Sequence, residues 1–421
     1  MIKNVRGERS GKRVKKIFIF FIYSKIKIFR YMKTLVLYIF ALILLHACQT
    51  GTGDKTSNKG TAGSEMPGFS FYVGTYTGQE SRGIYKCRMN NRGMLELTGL
   101  AGATDNPSYL TLSHDGEFLL AVNENSPSGT VESFRIKADS LLHVSRQASG
   151  GEHPCFVSIN SAGYVLTANY SSGSVGLLKM DKSGELSEVM DIQQHSGKGS
   201  TDRQQGPHAH SAYFEPGTSG VIAADLGSNE IWFSLLDTLQ SRLLPSEPYS
   251  LSMEPGAGPR HLVFHPDGKC LYVINELNST VTLVEKNESG EYVKGPSFTT
   301  LPAAYEGPNY CADILASSDG RFVYASNRGH NSIAIFRVEA GTNALDLAGH
   351  SSTCGEWPRN FTLSPGEEYL LVANQHSDNI VSFKRDASSG RLSPVDTLSL
   401  PEPVCIAFSK PGSGTAAKSS S

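Results

Sequence analysis

Histidine stands near arginine and glutamate at one place in this chain and beside a second histidine at another, and both places hold residue types suited to acyl chemistry. Gly258-Pro259-Arg260-His261 is followed by Asn275-Glu276, and His208-Ala209-His210 opens another apolar run. A guanidinium fork suits a carboxylate or phosphate, or the oxyanion that develops when water adds to a carbonyl. Histidine or glutamate can take the proton of that water. The sequence has no G-x-S-x-G elbow, no G-x-x-x-x-G-K-[ST] loop and no H-E-x-x-H helix, which disfavours serine-esterase, nucleotide-hydrolase and zincin chemistry. His208 and His210 alternate along a strand and would point two imidazoles one way. Two ligands do not make a metal site, so neither a metal nor a cofactor is expected.

Such residues act only if a scaffold gathers them, and a repeated unit provides one. NPSYLTLSHDGEFLLAVNE, HPCFVSINSAGYVLTANY, HAHSAYFEPGTSGVIAADL, GPRHLVFHPDGKCLYVINE, YCADILASSDGRFVYASNR and WPRNFTLSPGEEYLLVANQ share one template. Each has an anchor, an apolar strand, a turn, a second apolar strand and a polar residue. The anchors are Pro107, Pro154, Ala209, Pro259, Cys311 and Pro358, and the closing residues Asn123, Asn169, Asp225, Asn275, Asn327 and Asn374 follow them by 15 or 16 positions. Helical periodicity is nearly absent. Units spaced 47 to 55 residues apart fit four-stranded propeller blades. The C-terminal EPVCIAFS is a first strand without the rest of its unit, and the N-terminal FYVGTYTG, GIYKCRM and MLELTGL are the rest without a first strand. The expected fold is therefore all-β, a seven-bladed β-propeller over residues 69–409 whose last blade joins the N- and C-terminal strands, leaving no open sheet edge.

In such a blade the first strand lines the channel and the second runs antiparallel beside it, so first-strand starts and second-strand ends share a pole. The recurring Asn or Asp reads as a structural turn device. The residues that change from unit to unit are the informative ones. At this pole they include Glu124, His153, His208, His261, Asp313 and Arg359, the candidates for substrate binding.

The formal charge of −2 conceals an asymmetry, because residues 1–47 hold 11 Lys/Arg and one Asp/Glu. From Cys48 onward 27 basic side chains face 39 acidic ones, a balance near −12 that repels nucleic-acid phosphates. The apolar run LVLYIFALILL is too short to span a bilayer and suits a signal-peptide core, with Met32 the expected start. Leu45-His46-Ala47-Cys48 resembles a lipobox, in spite of the unusual His46. The expectation is a leader over 1–47, lipidation at Cys48, a flexible tether over 48–68 and a disordered tail over 410–421. That places the protein in the cell envelope, touching the membrane through its lipid alone, or in the cytoplasm if the leader is not used. The six remaining cysteines are widely spaced and read as buried small hydrophobes. Nothing in the sequence calls for an oligomer, so a monomer is expected.

GAGPRHLVFHPDG with VINELNSTV, and ADILASSDGRFVYASNR with NSIAIFRV, resemble the seven-bladed lactonase family that includes the propeller-type bacterial 6-phosphogluconolactonase and fungal carboxy-cis,cis-muconate cyclase. The resemblance covers essentially all of residues 69–409. It implies a lactone hydrolase acting on a small-molecule lactone, with His210, Arg260, Glu276 and Arg328 as the active constellation at the channel mouth. Two other readings stay open. One is a cycloisomerase that forms or opens lactones of dicarboxylic acids, and the other is a non-catalytic binding propeller on a membrane.

Overall fold

A computed structural model of the chain describes residues 68–78 and 80–410. The leader, Cys48, nearly all of the tether and residues 411–421 lie outside the described residues. The described chain forms seven antiparallel sheets of four strands each. Blade 1 takes its first strand from Pro403–Phe408 at the C-terminal end and its other three from Phe69–Thr75, Gly83–Met89 and Leu95–Ala103. Phe71 to Gly74 pair with Phe408 to Cys405, so the two ends of the chain are joined by a β-ladder.

The first strands of blades 2 to 7 are Leu110–Leu112, Pro154–Ile159, Ala209–Phe214, Pro259–Phe264, Tyr310–Ala316 and Pro358–Leu363. Their second strands are Phe118–Asn123, Tyr164–Asn169, Gly220–Asp225, Cys270–Asn275, Phe322–Arg328 and Tyr369–Asn374, and every residue in these six strands is buried. Burial on both faces follows from packing each sheet between two others, and it explains why these strands read as continuous apolar runs rather than alternating ones. Seven apolar clusters fill the seven junctions between neighbouring blades. Phe71, Val73 and Cys87 of blade 1 pack on Leu371 and Ile380 of blade 7, while Tyr72 and Ile84 pack toward Leu119 and Phe134 of blade 2. The ring is closed by core as well as by hydrogen bonds.

The six cysteines of this region are unpaired thiols, and five are buried as the sequence implies. Cys354 departs from that expectation: it is exposed, in a left-handed turn with φ of 53° between the last strand of blade 6 and the first of blade 7.

Candidate active site

In six of the seven blades the residue after the anchor is left out of the ladder by a β-bulge. Across blades 3, 4, 5 and 7 the ladder between first and second strands skips Cys155, His210, Arg260 and Arg359. In blade 6 it skips Ala312 and Asp313, and in blade 1 it skips Val404. A bulge leaves its extra residue unpaired and re-aims the side chain. This repeated irregularity is what directs residues from separate blades toward one pole.

Glu276, just past the second strand of blade 5, is the hub. Its Oε2 accepts from Arg260 Nε at 3.1 Å and Arg328 Nη2 at 2.7 Å, and its Oε1 accepts from Arg203 Nη2 at 3.1 Å. Burial would raise this carboxyl, but Arg328, Arg260 and Arg203 outweigh it and hold it down at about 2. Arg260 is tied further to the Ala312 carbonyl, and Arg328 to the carbonyls of Tyr310 and Cys311, each at 3.1 Å. Those anchors turn two guanidiniums into rigid walls. Arg260 Nη2 and Arg328 Nη1 have no protein partner among the described residues and stay available to a ligand.

His210 lies beside them. Burial, Arg260, His261, Arg359 and Arg328 push its imidazole well below 6.5, so it is neutral at physiological pH. Its Nδ1 faces the Cys155 thiol at 3.6 Å, and its Nε2 has no protein partner among the described residues. The His261 ring lies 5.3 Å away, edge to face. Asp313 orients that ring through an Nδ1 contact of 2.9 Å, while its other oxygen accepts from Asn360 at 2.6 Å. Burial and Arg260 lower His261 to about 4 despite Asp313. Asp313 therefore positions His261 and also lines a cavity of about 270 Å³ in the channel beneath, walled by Tyr109, Tyr213 and Phe361.

A second cluster faces the same space. Arg359 Nη2 donates to Tyr76 Oη at 2.7 Å and lies 3.7 Å from Glu124, and Tyr76 itself donates to Glu124 at 2.8 Å. The charge of Arg359 contributes to depressing the His210 imidazole, so the second cluster lies within electrostatic reach of the first.

Among the residues the sequence singled out, His210, Arg260, Glu276, Arg328 and Arg359 converge, with His261, Asp313 and Glu124 in support. His208 stands behind them: its ring stacks on Tyr170 at 4.5 Å and its Nδ1 binds the Tyr170 carbonyl at 2.9 Å. The bulge breaks the alternation that would have aligned it with His210. His153 is not brought in. It has φ of 49° in the slot that Asn106, Gly258, Trp357 and Glu402 also fill with left-handed conformations, and its Nδ1 pairs with Ser171 at 2.7 Å. It serves the turn before the anchor. Sequence reasoning missed Arg203, which lies in a connection with no repeat register.

For metal ligation, His265, Asp267 and Cys270 bring ligand atoms within 4.8 Å of one another. They occupy the first turn of blade 5, at the opposite pole, where Ser113–Asp115 and Ser317–Asp319 make the same side-chain bridge in blades 2 and 6. The trio is one version of the repeated turn.

Comparison with known proteins decides the family. The profile of the seven-bladed β-propeller lactonases matches residues 70–408. The chain belongs to that family. Among its relatives, a 6-phosphogluconolactonase of Bacillus subtilis is 36% identical over 344 residues, covering 80% of this chain and 97% of that protein. One from Formosa agariphila is 34% identical over 335 residues, covering 76% and 94%. The solved structure of a periplasmic gluconolactonase from Pseudomonas aeruginosa superposes with a TM-score of 0.78 at 30% identity, covering 82% of this chain and 99% of that one. In this lactonase-family chain the three-arginine carboxylate and the neutral histidine share the pole where the bulges point.

Proposed function

We propose that the protein hydrolyses a sugar lactone of the 6-phosphogluconolactone type at this pole. The observation that carries the reading is His210: a neutral imidazole with a free Nε2, set against two fixed guanidiniums that each keep an unused N–H donor. Water adding to the lactone carbonyl gives its proton to His210 Nε2, and Arg260 and Arg328 receive the oxyanion. The imidazolium then returns the proton to the departing ring oxygen as the carbon–oxygen bond breaks. Glu276 is already neutralised by three arginines, which makes it a weak base and a fixed counter-charge that sets their geometry. Sugar lactones are activated esters, so orientation with one base suffices without a covalent nucleophile.

The test is a panel of 6-phosphogluconolactone, gluconolactone and muconolactones. Turnover of the first, lost by about 10³-fold or more in a Glu276→Gln, His210→Ala double variant, is the expected result. Turnover of muconolactones alone would favour the cycloisomerase, and wild-type rates in the double variant would remove the site. We further infer that the mature chain is held in the cell envelope by a lipid on Cys48. The basic leader with its short apolar core supports this, and incorporation of labelled fatty acid that disappears in Cys48→Ala tests it.

A further inference from the structure

Four guanidiniums surround Glu276 and Glu124, and three of them are built into blades. Arg260 and Arg328 are tied to backbone carbonyls, and Arg359 lies over the Tyr76 ring at 5.2 Å. Arg203 is different. Its side chain is 48% exposed, against 2% for Arg260 and 6% for Arg328. Its Nη2 alone is engaged, shared between Glu276 and Tyr170 Oη at 3.0 Å, and its Nε and Nη1 have no protein partner among the described residues.

The segment that carries it is the connection between blades 3 and 4, which falls in the widest anchor interval, 55 residues. The next residue pins this segment. Gln204 is fully buried, donates to the Leu226 carbonyl at 2.8 Å and Asn229 at 3.0 Å, and accepts from the N–H groups of Ser200 and Thr201. A fixed backbone thus holds out one half-exposed guanidinium at the rim, held by two side chains from blades 3 and 5.

The charge count gives the ligand class. Four guanidiniums meet two carboxylates here, because Asp313 lies beneath and is committed to His261 and Asn360. An excess of two positive charges matches a dianion, and the unengaged Nε–H and Nη1–H of a half-exposed guanidinium are charge-assisted donors to phosphate oxygens. We propose that Arg203 binds the phosphate monoester at the far end of the substrate and thereby sets the preference for phosphorylated over neutral sugar lactones. This inference rests on the lactonase reading of the same pole.

The test compares wild type, Arg203→Ala and Arg203→Lys on 6-phosphogluconolactone and gluconolactone, with calorimetric binding of inorganic phosphate beside it. In Arg203→Ala the ratio of kcat/KM for the phosphorylated over the neutral lactone falls at least about tenfold, mainly through KM. Phosphate binding weakens by a similar factor, and Arg203→Lys recovers part of both. An unchanged ratio, or equal losses on both lactones, overturns the proposal. If wild type opens neither lactone, the lactonase reading fails and the phosphate arm decides Arg203 alone: weaker binding in Arg203→Ala supports the assignment, and equal binding overturns it.

Discussion

Two rings of residues encircle the same pole, and they obey opposite rules. The ring that closes the second strands is uniform: Asn123, Asn169, Asn275, Asn327 and Asn374 are essentially inaccessible, with Asp225 in the same slot of blade 4. Each asparagine amide donates inside its own corner of the ring, as Asn374 does to the Thr353 carbonyl at 3.1 Å and Asn379 at 3.0 Å. The ring at the first-strand bulges is diverse, with Cys155, His210, Arg260, Arg359 and Val404 in matching slots. One ring repeats because in these six blades the corner after the second strand holds buried polar groups that need a partner. The other varies because the bulge frees its residue from the ladder, so the repeat geometry no longer dictates the side chain.

If that division is right, substitutions in the two rings fail in different ways. The larger effect belongs to the diverse ring. His210→Gln keeps a neutral group of similar reach and lowers kcat/KM for the lactone by about 10²-fold without changing thermal stability, measured by initial rates and melting. The wild-type pH profile sharpens the point. The neutral imidazole is the active form and its pKa is depressed, so activity is flat through neutral pH and falls only on an acid limb below 6.5. A limb at or above 6.5 would assign the base elsewhere. The smaller effect belongs to the uniform ring: Asn374→Ala costs about 2 kcal/mol of stability, read by chemical denaturation, while kcat/KM of the folded protein stays within about twofold.

The sequence carried the architecture because each blade repeats the same two buried strands, and the incomplete ends were complementary. It carried Arg260, Glu276 and His210 because they fill template slots with residues the template does not need. His153 looked equally anomalous but sits in a left-handed turn, and a turn that tolerates asparagine also tolerates histidine. Sequence reasoning missed Arg203, whose placement depends on a connection outside the repeat and on Gln204 burying beneath it. The bulges were also invisible, because one extra residue in a short strand leaves no periodic signature, and yet they are what turns the chemistry toward the opening.

The most direct test of the account is a crystal structure of the protein soaked with the hydrolysis product, 6-phosphogluconate. The account places its carboxylate against Arg260, Arg328 and His210 Nε2, with the phosphate toward Arg203. Density for the product in the channel cavity below Asp313, with the Glu276 cluster untouched, would contradict it.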